Sequence, residues 1–414
     1  MIVVLLVGCQ GLSAQGLVVA TSATNAAPPV SPAESSGVLD LDACLELGMQ
    51  HQPALDAARA SLAATEAGKR GLDRLIIPRL LKPELGVRRE QACQGLTIAN
   101  AALSQAEAET RYAITRNFFT VQYIRSQRIV VDDVLRNLDT GYKRAEKLFK
   151  EGEIDIKITQ IDLDALKIQI GLVKSRKSQV ENGMLKAVAA LREAMGLKYD
   201  YPLAIAAVPL PAPVYKLNKD ELIAAALANR GEIIQANGAH RVTQLEIQAQ
   251  TKIFGWQGDT FASGADIHVQ PIPLPVSNGE YRPGAFGLEM PIRFAGRKQD
   301  RVTRASALSD RAAAVVDKAN NLVALDVEAQ YLKLQEAVED IQSLSGIQKI
   351  AAGLPDRVQQ LQPKDFTSGN IIQANTTAIQ VRTEMNDAIH MHALALAGLE
   401  RATAGAFRVY PTPK

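Results

Sequence analysis

Apolar residues along most of this chain recur at helical intervals, and one stretch departs clearly from that pattern. Residues 284–296 read G-A-F-G-L-E-M-P-I-R-F-A-G, in which Phe286, Leu288, Met290, Ile292 and Phe294 hold every second position. A period of two belongs to a strand with one apolar face, and about ten residues is the length a tilted strand needs to cross a bilayer. A partner strand precedes it, with Phe261, Ala265, Ile267 and Val269 set between Gly264, Asp266, His268 and Gln270. Such a hairpin is not stable alone in water, so it requires further strands.

Proline placement predicts the rest of the architecture. Proline inside a helix costs about 3 kcal/mol, and none occurs between Pro83 and Pro202 or between Pro291 and Pro355. The first of these stretches is interrupted only by L-F-K-E-G-E-I-D around Gly152, which predicts a hairpin of long helices. Its outgoing arm, residues 84–149, would reach about 100 Å at about 1.5 Å per residue. On the returning arm Ile158, Ile161, Ala165, Ile168 and Leu172 step by three and four. After a slip Val180, Met184, Ala187, Leu191 and Ala194 do the same, predicting a coiled-coil-like seam. Pro355 and Pro363 interrupt the corresponding arm of the second stretch.

The chain also repeats itself. The segment from Leu39 aligns with that from Leu217, Leu103-Ser104 with Leu308-Ser309, Tyr123 with Tyr331, and Phe149-x-x-Gly152 with Phe366-x-x-Gly369. The expected domains are residues 1–38, a targeting segment and tether; residues 39–213, a first repeat with a shortened strand region at about 74–98; and residues 214–414, a second repeat with a strand hairpin at about 259–296. The expected fold is mainly α, with long antiparallel hairpins in two tandem copies and short strand insertions.

Composition changes this picture little. Aromatic residues make up 5% of the 414 residues, which suits long helices better than a thick core. A net charge of +2, from 46 basic and 44 acidic residues, gives no electrostatic footprint for nucleic acid. At the start, Leu6-Val7-Gly8-Cys9 fits a bacterial lipobox, with a lipid on Cys9; the alternative is an ordinary signal peptide cut near Ala14. Either directs the chain out of the cytoplasm.

Candidate chemistry is sparse. Cys44 and Cys93 lack metal-ligand spacing and read as unpaired, lightly buried thiols. His390 and His392, two apart on a helix, read as solvated. The charged stretch at 293–301 reads as a strand leaving a membrane for water. No Walker A or G-x-S-x-G motif appears, so no catalytic residue, cofactor or metal ligand is assigned, and the chain is not read as an enzyme.

Within lipid only helices and closed barrels satisfy the backbone. One chain offers at most four strands, so closure would need several copies, and three would make a twelve-stranded barrel. The tandem layout, the G-L-E-M-P-I-R-F-A-G-R-K-Q-D-R-V-T-R-A strand-to-helix junction, the F-x-x-G turns at Phe149 and Phe366, and the endings A-L-R-E-A-M-G-L and L-E-R-A-T-A-G together resemble the TolC family of outer-membrane efflux ducts. The resemblance implies a homotrimer with a transmembrane β-barrel in the outer membrane, a helical tunnel through the periplasm, and as partners a periplasmic adaptor and an inner-membrane pump. It places Phe286, Leu288, Met290, Ile292 and Phe294 against lipid, and Gly152, Asp155, Asp162, Gly369, Asn370 and Gln373 at the periplasmic tip turns. Where the family often places acidic residues after the second turn, this chain has Gln373 and Asn375. The short first strand region favours a second reading, a periplasmic or lipid-anchored coiled-coil protein that no longer forms a pore.

Overall fold

A computed structural model describes residues 38–78, 82–151, 158–213, 215–253, 296–362 and 367–408. Cys9, the strand residues Phe286 to Phe294, and the tip residues Gly152 and Asp155 lie outside the described residues. The described residues form α1 (Leu41–His51), α2 (Pro53–Arg74), α3 (Leu85–Glu151), α4 (Gln160–Ala194), α5 (Lys219–Asn229), α6 (Gly231–Lys252), α7 (Lys298–Ala352), α8 (Leu354–Gln359) and α9 (Ser368–Ala402). At 67 residues, α3 is about 100 Å long, as the proline-free stretch predicts.

The duplication is written in helix lengths. α1 and α5 have 11 residues each, α2 and α6 have 22, and α4 and α9 have 35. Equivalent positions also carry equivalent caps. Asp40 and Asn218 accept hydrogen bonds from the first turns of α1 and α5, and Thr159 and Thr367 do the same for α4 and α9. This register corrects one expected correspondence: Thr159 matches Thr367, so Phe149-x-x-Gly152 does not match Phe366-x-x-Gly369. Gly369, Asn370 and Gln373 are inside α9 rather than in a turn, and Phe149 is in the last turn of α3.

The long helices lie side by side. Toward the tips, α3 packs between α4 and α9, and α9 packs against α7; in the other half, α3 packs between α2 and α6, and α6 packs against α7. Val131, Val134, Leu138, Leu163, Leu166 and Ile371 close the core near the tips. Ile114, Phe118, Phe119, Leu191 and Met195 close it at mid-length, where Leu39 forms a parallel bridge with Ile205. The predicted seam on α4 holds in its second half, where Ala187, Leu191 and Ala194 are buried, and fails in its first. There Ile161, Ile168 and Leu172 are 80%, 65% and 58% exposed, and Leu163, Leu166 and Val173 are buried instead. Both sets follow the same spacing, and only the neighbour's position decides which one is covered.

Residues 85–98, expected in the first strand region, are the start of α3. The physical reason is that Arg88 and Arg89 are consumed by helix partners, described below, rather than facing lipid. The predicted interruption by Pro355 is present: α7 stops at Ala352, and α8 opens with that proline in its first turn. Cys44 is buried and Cys93 exposed, and both are free; burial pushes the Cys44 thiol up to about 12.

In each repeat a short helix meets the end of a long one at an elbow. Gly196 follows α4 with φ of 69°, and its N–H donates to the Glu193 carbonyl at 2.8 Å. A Cβ there would stand 2.4 Å from the His51 carbonyl oxygen. The equivalent residue after α9 is Ala404, a non-glycine at φ of 51°. We expect Gly196→Ala to cost more than the roughly 1–2 kcal/mol of left-handed strain, because of the added collision. Ala404→Gly should gain about 0.5–1 kcal/mol. Urea unfolding followed by helical circular dichroism checks both.

Candidate functional site: buried polar junctions and hairpin ends

The second elbow is built on charge. Arg230, which caps α6, faces Glu232 with Nε–Oε2 at 3.1 Å and Nη2–Oε1 at 2.5 Å, and its Nη1 reaches Asp326 Oδ2 at 2.5 Å. Arg401 of α9 donates to both oxygens of Asp326 at 3.0 Å, and to Glu109 of α3 at 3.1 Å. Three helices therefore meet at one buried carboxylate, and Arg401 links it to a fourth, α3, through Glu109. Burial alone would lower the guanidinium pKa values, but the facing carboxylates outweigh it and raise those of Arg230 and Arg401. The first elbow solves the same problem without charge: Gln52, the counterpart of Arg230, donates to the Ala194 carbonyl at 3.0 Å. Phe118 there stands where the second copy has Asp326, and it is buried.

A second polar layer lies where the strand insertions depart. Arg88 of α3 holds Glu246 of α6 with both terminal nitrogens, while Gln91 and Gln250 donate to the same carboxylate at 2.8 Å and 2.7 Å. Burial would raise the pKa of Glu246, but these donors outweigh it and hold it below the usual carboxylate range. Arg301 of α7 is 1% exposed. It donates to Gln250 at 2.9 Å, to the Ile253 carbonyl at 3.2 Å and to the Gly296 carbonyl at 2.6 Å. One guanidinium thus joins the two ends between which residues 254–295 run. Of the charged stretch 293–301, Arg301 is therefore buried, while Arg297, Lys298 and Asp300 are exposed and residues 293–295 lie outside the described residues. In the first repeat Arg89 plays the same part, donating to the carbonyls of Leu72, Asp73 and Leu75 at the end of α2. Leu75 and Ile253 are equivalent positions, so each repeat ties off its insertion with an arginine.

At the tip end, the structure brings Asp162 to the second hairpin. Asp162 forms a capping box with Thr159 at the start of α4 and accepts a hydrogen bond from the Ser368 hydroxyl at the start of α9. Burial would raise its pKa, but donation from Ser368 and Thr159 prevails and lowers it. Arg144 of α3 donates to the carbonyls of Gln359, at the end of α8, and Leu361, the latter at 2.6 Å. Gln373 lies one turn into α9 and Asn375 is buried, so the two polar residues do not form one cluster with Asp162.

Between α3 and α9, Tyr123 stacks on His390 at 4.5 Å. Burial, then Arg116, pushes His390 down to about 4, and burial followed by Asp387 pushes Tyr123 up to about 12. His392 is 1% exposed and faces the backbone of Pro211 and Pro213. Both histidines are therefore packed rather than solvated: His390 lies against α3, and His392 lies against the inter-repeat linker. Among the described residues, no cluster of histidine, cysteine and acidic side chains is arranged to hold a metal ion. No described helix is long and apolar enough to cross a membrane.

Solved structures of outer-membrane channels match this frame of long helical hairpins over most of the chain. The outer-membrane channel OprN aligns with a TM-score of 0.70 at 13% identity, covering 88% of this chain and 90% of that one. The open state of the MtrE outer-membrane channel from Neisseria gonorrhoeae aligns at 0.68 with 15% identity, covering 88% and 89%. The outer-membrane protein VceC from Vibrio cholerae aligns at 0.63 with 15% identity, covering 89% and 97%. No protein-family model matches the sequence, and no curated protein matches it. The fold is that of this class of channel.

The geometry sets two expected outcomes. Asp326→Ala leaves two buried guanidiniums without their shared partner and should cost about 3–5 kcal/mol, whereas Glu109→Gln, at a partly exposed position, should cost under about 1 kcal/mol. The lowered pKa of Asp162 means that its contribution is present above the unfolded value of about 3.9 and is lost as pH falls through the lower folded value. Urea midpoints of the parent and Asp162→Asn should therefore differ at neutral pH and converge below pH 4.

Proposed function

We propose that this chain is the outer-membrane channel component of an efflux or export system, a passive duct that closes as a homotrimer and conducts through the periplasm. The observation that carries this reading is the pair of open edges in a wall of side-by-side helices. On α4, Ile161, Ile168 and Leu172 form one exposed apolar stripe. On α7, Leu325, Leu332, Ile347 and Ile350 form another, 47%, 54%, 47% and 55% exposed. Their spacings keep each set on one helix face.

Neither stripe has a covering helix among the described residues, and the two occupy opposite edges. The α4 edge of one copy can therefore take the α7 edge of the next, which is a heterologous contact that closes into a ring. The likeness to solved outer-membrane channels supports the same reading, and the alternating residues 286–294 supply the lipid-facing band of the barrel. On this reading Asp162, Gly369, Asn370 and Gln373 belong to the periplasmic end, as do Gly152 and Asp155, which follow α3 in the sequence. Bonds from Ser368 to Asp162 and from Arg144 to the end of α8 and the residues after it join the two hairpins there, so they set how far the tip can spread. A groove of about 670 Å³ between α4 and α9, walled by Gln169, Leu172, Arg176, Gln380 and Glu384, shares Leu172 with the α4 stripe and so belongs to the edge that the next copy covers, while a periplasmic adaptor working with an inner-membrane pump would meet the tip itself.

The second reading, a coiled-coil protein without a pore, draws on one specific observation. At most ten residues, 75–84, separate α2 from α3, too few for two membrane-crossing strands. Single-channel conductance of the detergent-extracted protein, measured with its oligomeric mass, decides between them. Discrete conductance from a trimer is expected; a water-soluble monomer without conductance overturns the duct. Ile168→Glu and Leu332→Glu should each abolish trimer and conductance while leaving the helical circular dichroism of the monomer intact.

A further inference from the structure

The turn that replaces the first strand pair has an unusual surface. Ile76 is 98% exposed and Leu75 is 39% exposed, in a segment that reads R-L-I-I-P from Arg74. Polar groups leave this apolar tip bare because Arg89 takes up the Leu75 carbonyl from below at 2.7 Å. The helix ends at this level carry many basic side chains. Arg74, Lys82, Lys252, Arg297 and Lys298 are all exposed, and Lys82 pairs with Glu84 at 3.7 Å. Against them stand Asp73, which is paired with Lys69 at 2.7 Å, Glu90 and Asp300. The Arg88–Glu246 pair and the bonds from Arg301 to Ile253 and Gly296 hold these helix ends together at the level where residues 254–295 depart.

We propose that Leu75–Pro78 is an interfacial anchor, with Ile76 set among the acyl chains of the periplasmic leaflet and the arginines and lysines of the neighbouring helix ends on the phosphates of anionic phospholipid. The inference rests on the duct reading, since a strand hairpin that enters a bilayer is what brings this level to lipid. An apolar tip with long basic side chains at its level matches the two layers of a membrane interface: the tip is desolvated by acyl chains, while the cations stay at phosphate depth. Each such cation near an anionic surface strengthens association by roughly fivefold. The anchor also gives the shortened first repeat a part to play at the membrane without supplying strands.

The test uses the full chain, reconstituted in vesicles of phosphatidylethanolamine and phosphatidylglycerol. Trp256, the sole tryptophan, is replaced by phenylalanine, and Ile76→Trp is introduced as the probe. The expected result is blue-shifted emission, quenched by lipids brominated near the headgroup, with brominated phosphatidylglycerol favoured about fivefold over brominated phosphatidylethanolamine. Neutralising Arg74, Lys252 and Arg297 to glutamine should remove that preference. Tyr199→Trp, at a position 87% exposed near the first elbow, should remain unquenched. In a conducting protein, water-like emission at position 76 overturns the anchor, and so does blue-shifted emission that lipid cannot quench, which would mean that a neighbouring copy covers the tip. Quenching without lipid preference overturns the phosphate contact. A protein that neither conducts nor partitions into vesicles removes the duct reading, and the anchor with it.

Discussion

Helices laid side by side, each between two neighbours, form a wall with no second layer behind it among the described residues, and such a wall is constrained by its edges. A helix in a globular bundle buries one broad face. Here each long helix needs apolar contact on two narrow flanks, and the last helix on either side has one flank open. The even spread of apolar residues along the chain follows from this, as does the scarcity of aromatics: the described helices enclose no thick interior to fill. Closing the edges with further copies of the same wall satisfies the constraint without any additional element.

The same constraint explains why so much polar chemistry is buried in so thin a wall. A thin wall built from stacked short and long helices has junctions at which backbone groups would be left unpaired. Each repeat meets that need at equivalent positions with different residues. The first elbow uses Gln52, Gly196 and an apolar core around Phe118. The second uses Arg230, Asp326, Arg401 and an alanine held at positive φ. At the insertion end, Arg89 and Arg301 tie off the chain where α2 and α6 finish. Two guanidiniums, each able to donate to several carbonyls at once, keep these ends fixed whether ten residues or more than forty lie between them.

Much of this was legible in the sequence. Proline spacing placed α3 to within a few residues, the offset of 178 between Leu39 and Leu217 matched α1 and α2 to α5 and α6, and the order of loose motifs indicated the channel fold. Helix periodicity, turn residues and proline are local properties, set by backbone geometry that each residue carries with it. What the pattern could not resolve was which of two equally spaced stripes on α4 is covered, since Ile161 and Leu163 differ only in the position of a distant neighbour.

Tertiary structure alone decided the roles of the charged residues and the histidines. Nothing in the local sequence marks Arg88, Arg301, Asp326 and Arg401 as buried, because charge is normally exposed. Their burial depends on partners brought from about 50 to 290 residues away, as Arg301 is to Gln250 and Arg401 to Glu109. Likewise Gly369 and Asn370 read as a turn, and the helix that contains them starts where Thr367 caps it, opposite Asp162. The local sequence determined which elements form; the pairing of desolvated charges across those elements determined where they lock together, because such a pairing is favourable only once both partners have left water.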